Sequence, residues 1–131
     1  MKKVRIFILF ALFAAFSFTA CHKHGDGNDT LAPTVTITSP TADASLSGAV
    51  NISGTVTDEG MHEMSIVVTK DADNTQLFKA EPNVYNATDY AISQVWTPAG
   101  IAAETAVTLT VTVEDHSANK TVKTVKFKVK P

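Results

Sequence analysis

The side chains able to do chemistry are few and scattered. Among 131 residues there are four histidines and one cysteine, with 13 acidic against 11 basic side chains. Nucleophilic catalysis needs a hydroxyl or thiol held beside a base, yet the chain has no Gly-x-Ser-x-Gly and no phosphate-cradling glycine loop. His62-Glu63 opens like a zinc-protease pair, but Ile66 stands where the second imidazole belongs. His62 and His116 fall in turn-rich stretches and read as solvated surface imidazoles. His22 and His24 flank Lys23 on a glycine-containing polar run, a backbone too loose to make a good transition-metal site. The chain therefore reads as non-catalytic. Cys21 is left, and a lone cysteine cannot close an internal disulfide, so its position carries its meaning.

That position is the end of a three-part segment. Lys2, Lys3 and Arg5 form a basic start, Ile6 to Phe18 is apolar except for Ser17, and the small residues Thr19 and Ala20 precede Cys21. This is the layout of a secretory signal over residues 1–20, with an apolar stretch too short for an ordinary membrane span. Phe18-Thr19-Ala20-Cys21 resembles the lipobox of bacterial lipoproteins, although Phe18 departs from the usual leucine. The resemblance implies that the Cys21 thiol is acylated and becomes the first residue of a protein anchored in a cell outer membrane. Buried acyl chains, each contributing about 0.8 kcal/mol per CH₂, would hold it there without a spanning helix. Residues 21–32 then read as a flexible tether. Within it Asp29-Thr30-Leu31 resembles the Asp-Ser/Thr-apolar acceptor for O-glycosylation in exported Bacteroidetes proteins, which marks Thr30 as a candidate glycosylation site.

Residues 33–131 are enough for one domain and too few for two. Loss of Lys2, Lys3 and Arg5 on cleavage leaves this body more acidic than the whole chain's net charge of −2. No basic patch could neutralise phosphates, so nucleic acid is not an expected partner, and neither are anionic headgroups.

The elements that must position any site alternate with period two. Val35 and Ile37 alternate with threonines up to Ser39-Pro40, and Val50, Ile52, Gly54 and Val56 form a second set closed by Asp58-Glu59-Gly60. Met64, Ile66 and Val68 form a third, Leu77-Phe78 a short fourth, and Tyr90, Ile92, Gln94 and Trp96 a fifth. Val107, Leu109, Val111 and Val113 make the sixth, with Thr108, Thr110 and Thr112 on the opposite face. The seventh turns Val125, Phe127 and Val129 inward and three lysines outward; Val122 is out of phase, which predicts a bulge near Lys123-Thr124. Such alternation suits half-buried strands, and no stretch has a helical period. The reading is an all-β, seven-stranded antiparallel sandwich.

Two stretches carry a family resemblance. "APTVTITSPTADASLSGAVNISGTVTDEG" (32–60) looks like the opening of bacterial Ig-like domains, of fibronectin type III or cadherin-like kind, and "VTLTVTVEDHSAN" (107–119) is similar to their sixth strand and closing turn. In that turn glycine usually precedes the asparagine. The resemblance implies that the loops after the second and sixth strands share one end of the sandwich, with the start of the first strand, Asp29 to Pro33. Asp58 and Glu59 would then approach Glu114, Asp115 and Asn119, hard oxygen ligands of the kind that bind calcium at the ends of cadherin-like domains. The alternative is that Asp58 and Asp115 simply cap their loops by accepting backbone N–H bonds. No other cofactor is implied. Pro40 to Ser47 and Thr97 to Glu104 would occupy the opposite end, pointing away from the anchor.

Trp96, Tyr90, Tyr85 and Phe78 are candidates for an aromatic sugar platform. Tyr90 and Trp96 share parity with Ile92 and are expected in the core, which leaves Tyr85 as the exposed one. The expected function is a lipid-anchored binding or assembly module with a protein or glycan partner. Alternatives are an adhesin or fimbria-like subunit exchanging a terminal strand, Thr121 to Lys130, or a weak calcium-binding module.

Overall fold

The computed structural model describes residues 29–131. The signal segment, Cys21, His22 and His24 lie outside the described residues. Eight strands follow in order: β1 (Thr34–Ser39), β2 (Ser45–Ser47), β3 (Val50–Thr57), β4 (Met61–Lys70), β5 (Gln76–Ala80), β6 (Asp89–Trp96), β7 (Thr105–Asp115) and β8 (Lys120–Lys130). They form two sheets, β1-β3-β6 and β2-β8-β7-β4-β5, packed as an Ig-like β-sandwich.

The alternation accounts for the packing. Val50, Ile52 and Val56 on β3 face Ile66 and Val68 on β4 and Val107, Leu109, Val111 and Val113 on β7, all buried in one core. Trp96 and Ile92 close it from β6, with Tyr90 and Phe78 partly buried against it. Phe78 and Trp96 stand with ring centroids 6.3 Å apart, so both serve packing. Gly54 is required by proximity: a Cβ there would overlap the Thr36 carbonyl oxygen and lie 3.1 Å from the Ile37 Cα.

Three features depart from the alternation reading. The eighth strand is β2, which pairs parallel to β8 through Ser45↔Lys128, Leu46↔Val129 and Ser47↔Lys130, so the sandwich is not wholly antiparallel. A three-residue strand with one apolar side chain has too little pattern to read. There is no bulge near Lys123-Thr124: β8 runs in unbroken register with β7 from Val129↔Thr105 to Lys120↔Glu114, and Val122 simply faces outward, 56% exposed. The irregularity lies instead on β4, where the pairing with β7 shifts between Met61 and Glu63. That extra residue turns both Met61 and Met64 into the core.

Candidate functional site

One end of the sandwich gathers the β3–β4 turn, the β7–β8 turn, the Glu81–Thr88 connection and the chain entering at Asp29. Backbone bonds tie these together: Asp58 N–H donates to Thr88 O (3.0 Å), Met61 N–H to Ala87 O (3.0 Å), Asn86 N–H to Met61 O (2.8 Å) and His116 N–H to Gly60 O (3.3 Å).

Asp115 organises this end. It is 3% exposed, the one buried charged side chain among the described residues. Its Oδ1 accepts the N–H groups of Ser117 (2.7 Å) and Asn119 (2.8 Å), and its Oδ2 accepts Asn119 Nδ2 (2.7 Å). The same Nδ2 donates to the Asp29 carbonyl (2.9 Å), which fixes where the chain enters the fold. Burial pushes the Asp115 pKa up, but the bonds from Asn119 and Ser117 and the neighbouring His116 outweigh it and hold the carboxyl below its ordinary value. Ala118 takes φ of 63°, the left-handed conformation that makes glycine the usual residue at this point of the turn.

Asp58 Oδ1 caps its own turn by accepting Gly60 N–H (2.9 Å), and Asp29 Oδ1 likewise accepts Leu31 N–H (2.9 Å). Carboxylate oxygens of Asp29, Asp58 and Asp115 lie within 4.8 Å of one another. Calcium takes roughly six to eight oxygens, and these three carboxylates supply part of such a shell. Of the other candidate ligands, Asn119 turns its amide nitrogen to Asp115 and Asp29, and Glu59 is exposed. Glu114 points to the opposite face of β7, where it pairs with Lys120 at 2.7 Å. Strand alternation separates Glu114 from Asp115, whereas Asp29, far away in sequence, joins the group through the Asn119 bond. Thr30 beside it is exposed.

A second cluster adjoins this one. Tyr85 is 60% exposed, and its ring meets His116 edge-on at a centroid distance of 4.8 Å and His62 at 5.7 Å. The two imidazoles are 5.0 Å apart. His116 Nε2 lies 2.8 Å from Asn86 Oδ1, a contact that orients the imidazole ring. Next to them, on the outer face of the five-stranded sheet, a cleft of about 290 Å³ is lined by His62, Glu63, Glu81, Asn83, Val84 and Glu114. Glu81 pairs with Lys79 at 2.8 Å, while Glu63 has no ion pair among the described residues. The Glu114 bond and charge, aided by Glu63 and opposed by desolvation, raise the Lys120 pKa. Sequence reasoning singled out Tyr85 and His62 separately; only the Glu81–Thr88 connection, which carries no periodic signal, brings them together.

The far end is closed by Glu104, which accepts from Ser45 Oγ (2.9 Å) and pairs with Lys128 (3.2 Å) and Lys130 (3.5 Å). The Ser45 bond, then the Lys128 bond and the two lysine charges, lower its pKa against desolvation. Thus Pro40 to Ser47 and Thr97 to Glu104 do share the end opposite Asp115.

Among solved structures, that of murine CRIg is similar at 12% identity and a TM-score of 0.46, over 76% of this chain and 98% of that one. No curated protein matches the chain. Residues 33–111 match the bacterial Ig domain family, and with that stretch covering β1 to most of β7, the chain belongs to this family.

Proposed function

We propose that this protein is a non-catalytic binding module held on a bacterial outer membrane through Cys21, and that its contact surface is the Tyr85–His62–His116 cluster with the adjoining cleft. The observation that carries the reading is Tyr85, an aromatic face left 60% exposed beside a polar cavity. An open ring offers a stacking surface, and Glu63, Asn83 and Thr112 around the cleft offer acceptors and donors to hydroxyl groups. That combination suits a polyhydroxylated ligand, a glycan. The test is electrophoresis of the protein through gels containing soluble polysaccharides. At least one polysaccharide should retard the wild type, and Tyr85→Ala should migrate freely with an unchanged melting temperature. Retardation that survives the substitution, or no retardation by any polysaccharide, overturns the reading.

A second reading rests on the three clustered carboxylates. Asp29, Asp58 and Asp115 form no ion pair with a lysine or arginine among the described residues. A calcium ion bound weakly there would neutralise them and stiffen the entry of the chain into the fold.

A further inference from the structure

The sheet edges are unequally protected. An exposed edge displays unpaired backbone groups, and natural sheets blunt such edges by shortness, charge, proline or bulges. β2 is three residues long. β5 is five residues long, carries Lys79, and its pairing with β4 shifts between Val68 and Thr69. β1 is irregular between Ile37 and Ser39 and lies against β8. β6 has none of these devices. It pairs with β3 without a shift from Asp89↔Thr57 to Trp96↔Val50, holds no proline, and is charged only at Asp89.

The direction of its free groups follows from the register. Asp58 N–H donates to Thr88 O, so Asp58↔Thr88 is a hydrogen-bonded pair and its neighbour Asp89↔Thr57 is not. Antiparallel pairs alternate, so Tyr90, Ile92, Gln94 and Trp96 turn their backbone groups to β3, and Ala91, Ser93 and Val95 turn theirs outward. Among the described residues, nothing outside the β3–β6 ladder bonds to those outward groups. The side chains of Ala91, Ser93 and Val95 are small and exposed, Val95 at 64%.

We propose that β6 is a self-association edge, on which β6 of a second copy of this chain pairs antiparallel about a two-fold axis at Ser93. Because the outward residues are all odd-numbered, this axis sets donors against acceptors throughout. Ser93 lies opposite Ser93 of the copy, and Ala91 lies opposite Val95 on either side. The exposed valine gains an apolar neighbour, and the two Asp89 carboxylates stay at opposite ends of the ladder, so no like charges face each other. The two three-stranded sheets become one continuous sheet. Neither Tyr85 nor the cleft takes part, so this inference stands or falls apart from the glycan reading.

Disulfide trapping tests it in cells producing the full chain. Ser93→Cys should give a disulfide-linked band of twice the monomer mass under mild oxidation, absent from the wild type with its native Cys21 and from Gln76→Cys on the β5 edge. Val95→Pro in the Ser93→Cys background should abolish that band, because it removes an outward N–H, while leaving the melting temperature near that of the parent, because the β3 ladder does not use that N–H. No dimer from Ser93→Cys, an equal dimer from Gln76→Cys, a dimer that persists with Val95→Pro, or a cross-link to a different protein would each overturn the proposal.

Discussion

At the scale of single residues, Asp115 does most to hold the acidic end. Its three accepted bonds stabilise the ionised form, so its pKa in the fold lies below that of the unfolded chain. A depressed carboxyl contributes stability that is fully present above the unfolded value, near pH 4, and is lost as pH falls through the folded value. Asp115→Asn should therefore cost about 1.5–3 kcal/mol at neutral pH, the range for bonds to a charged acceptor. The gap to wild type should narrow in melting curves taken below about pH 4; a gap that stays constant with pH would assign the loss to shape and not to charge. The same curves read the calcium proposal. Millimolar Ca²⁺ should raise the wild-type melting temperature at neutral pH and leave Asp115→Asn unmoved. A flat wild-type titration leaves these carboxylates as turn caps alone.

At the scale of elements, β7 is the spine. It pairs with β4 on one side and β8 on the other, and Val107, Leu109, Val111 and Val113 are fully buried. Leu109→Ala should cost about 2–5 kcal/mol, because the cavity it leaves is walled by neighbouring strands that cannot collapse far. Thr110→Ala on the outward face should cost less than 1 kcal/mol, the usual scale of surface substitutions. Urea unfolding of both variants checks this, and similar losses would contradict the facing of the strand. Period-two alternation made β3, β6 and β7 legible in the sequence, since one face of each meets a core and the other meets water. The same logic could not find β2, whose single Leu46 makes no alternation, or the shift that buries Met61. Val84 was equally hidden: it is buried from a connection between strands, where no period applies.

At the scale of the whole molecule, the chain enters the fold at the acidic end, where Asn119 holds the Asp29 carbonyl. Cys21 precedes Asp29 by ~8 residues, a reach of at most roughly 3.3–3.6 Å each. An acylated Cys21 would keep that end, with Tyr85 and the cleft beside it, close to the membrane. Cys21→Ala should move the protein out of the membrane fraction or leave an uncleaved precursor, read by fractionation and mass spectrometry. A fully mature variant that stays membrane-bound would refute the lipid anchor. Pairing of two copies through β6 adds a geometric condition. The two-fold axis sends the Asp29 ends in opposite directions, so a dimer anchored twice to one membrane must lie with its β6 strands along the surface.

Short-range pattern in the sequence carries the identity of the longer strands, the face that β3, β6 and β7 bury, the all-β class, and the residue types available to each turn. Those follow from period-two alternation and turn chemistry within a few residues. Everything that depends on which strands become neighbours came from the assembled fold. It brought Asp29 to Asp58 and Asp115. It set Tyr85 beside His62 and His116, and it left β6 rather than the terminal β8 with a long unguarded edge. Pairing between distant segments is settled by the packing of the whole core, so no local stretch of sequence encodes it.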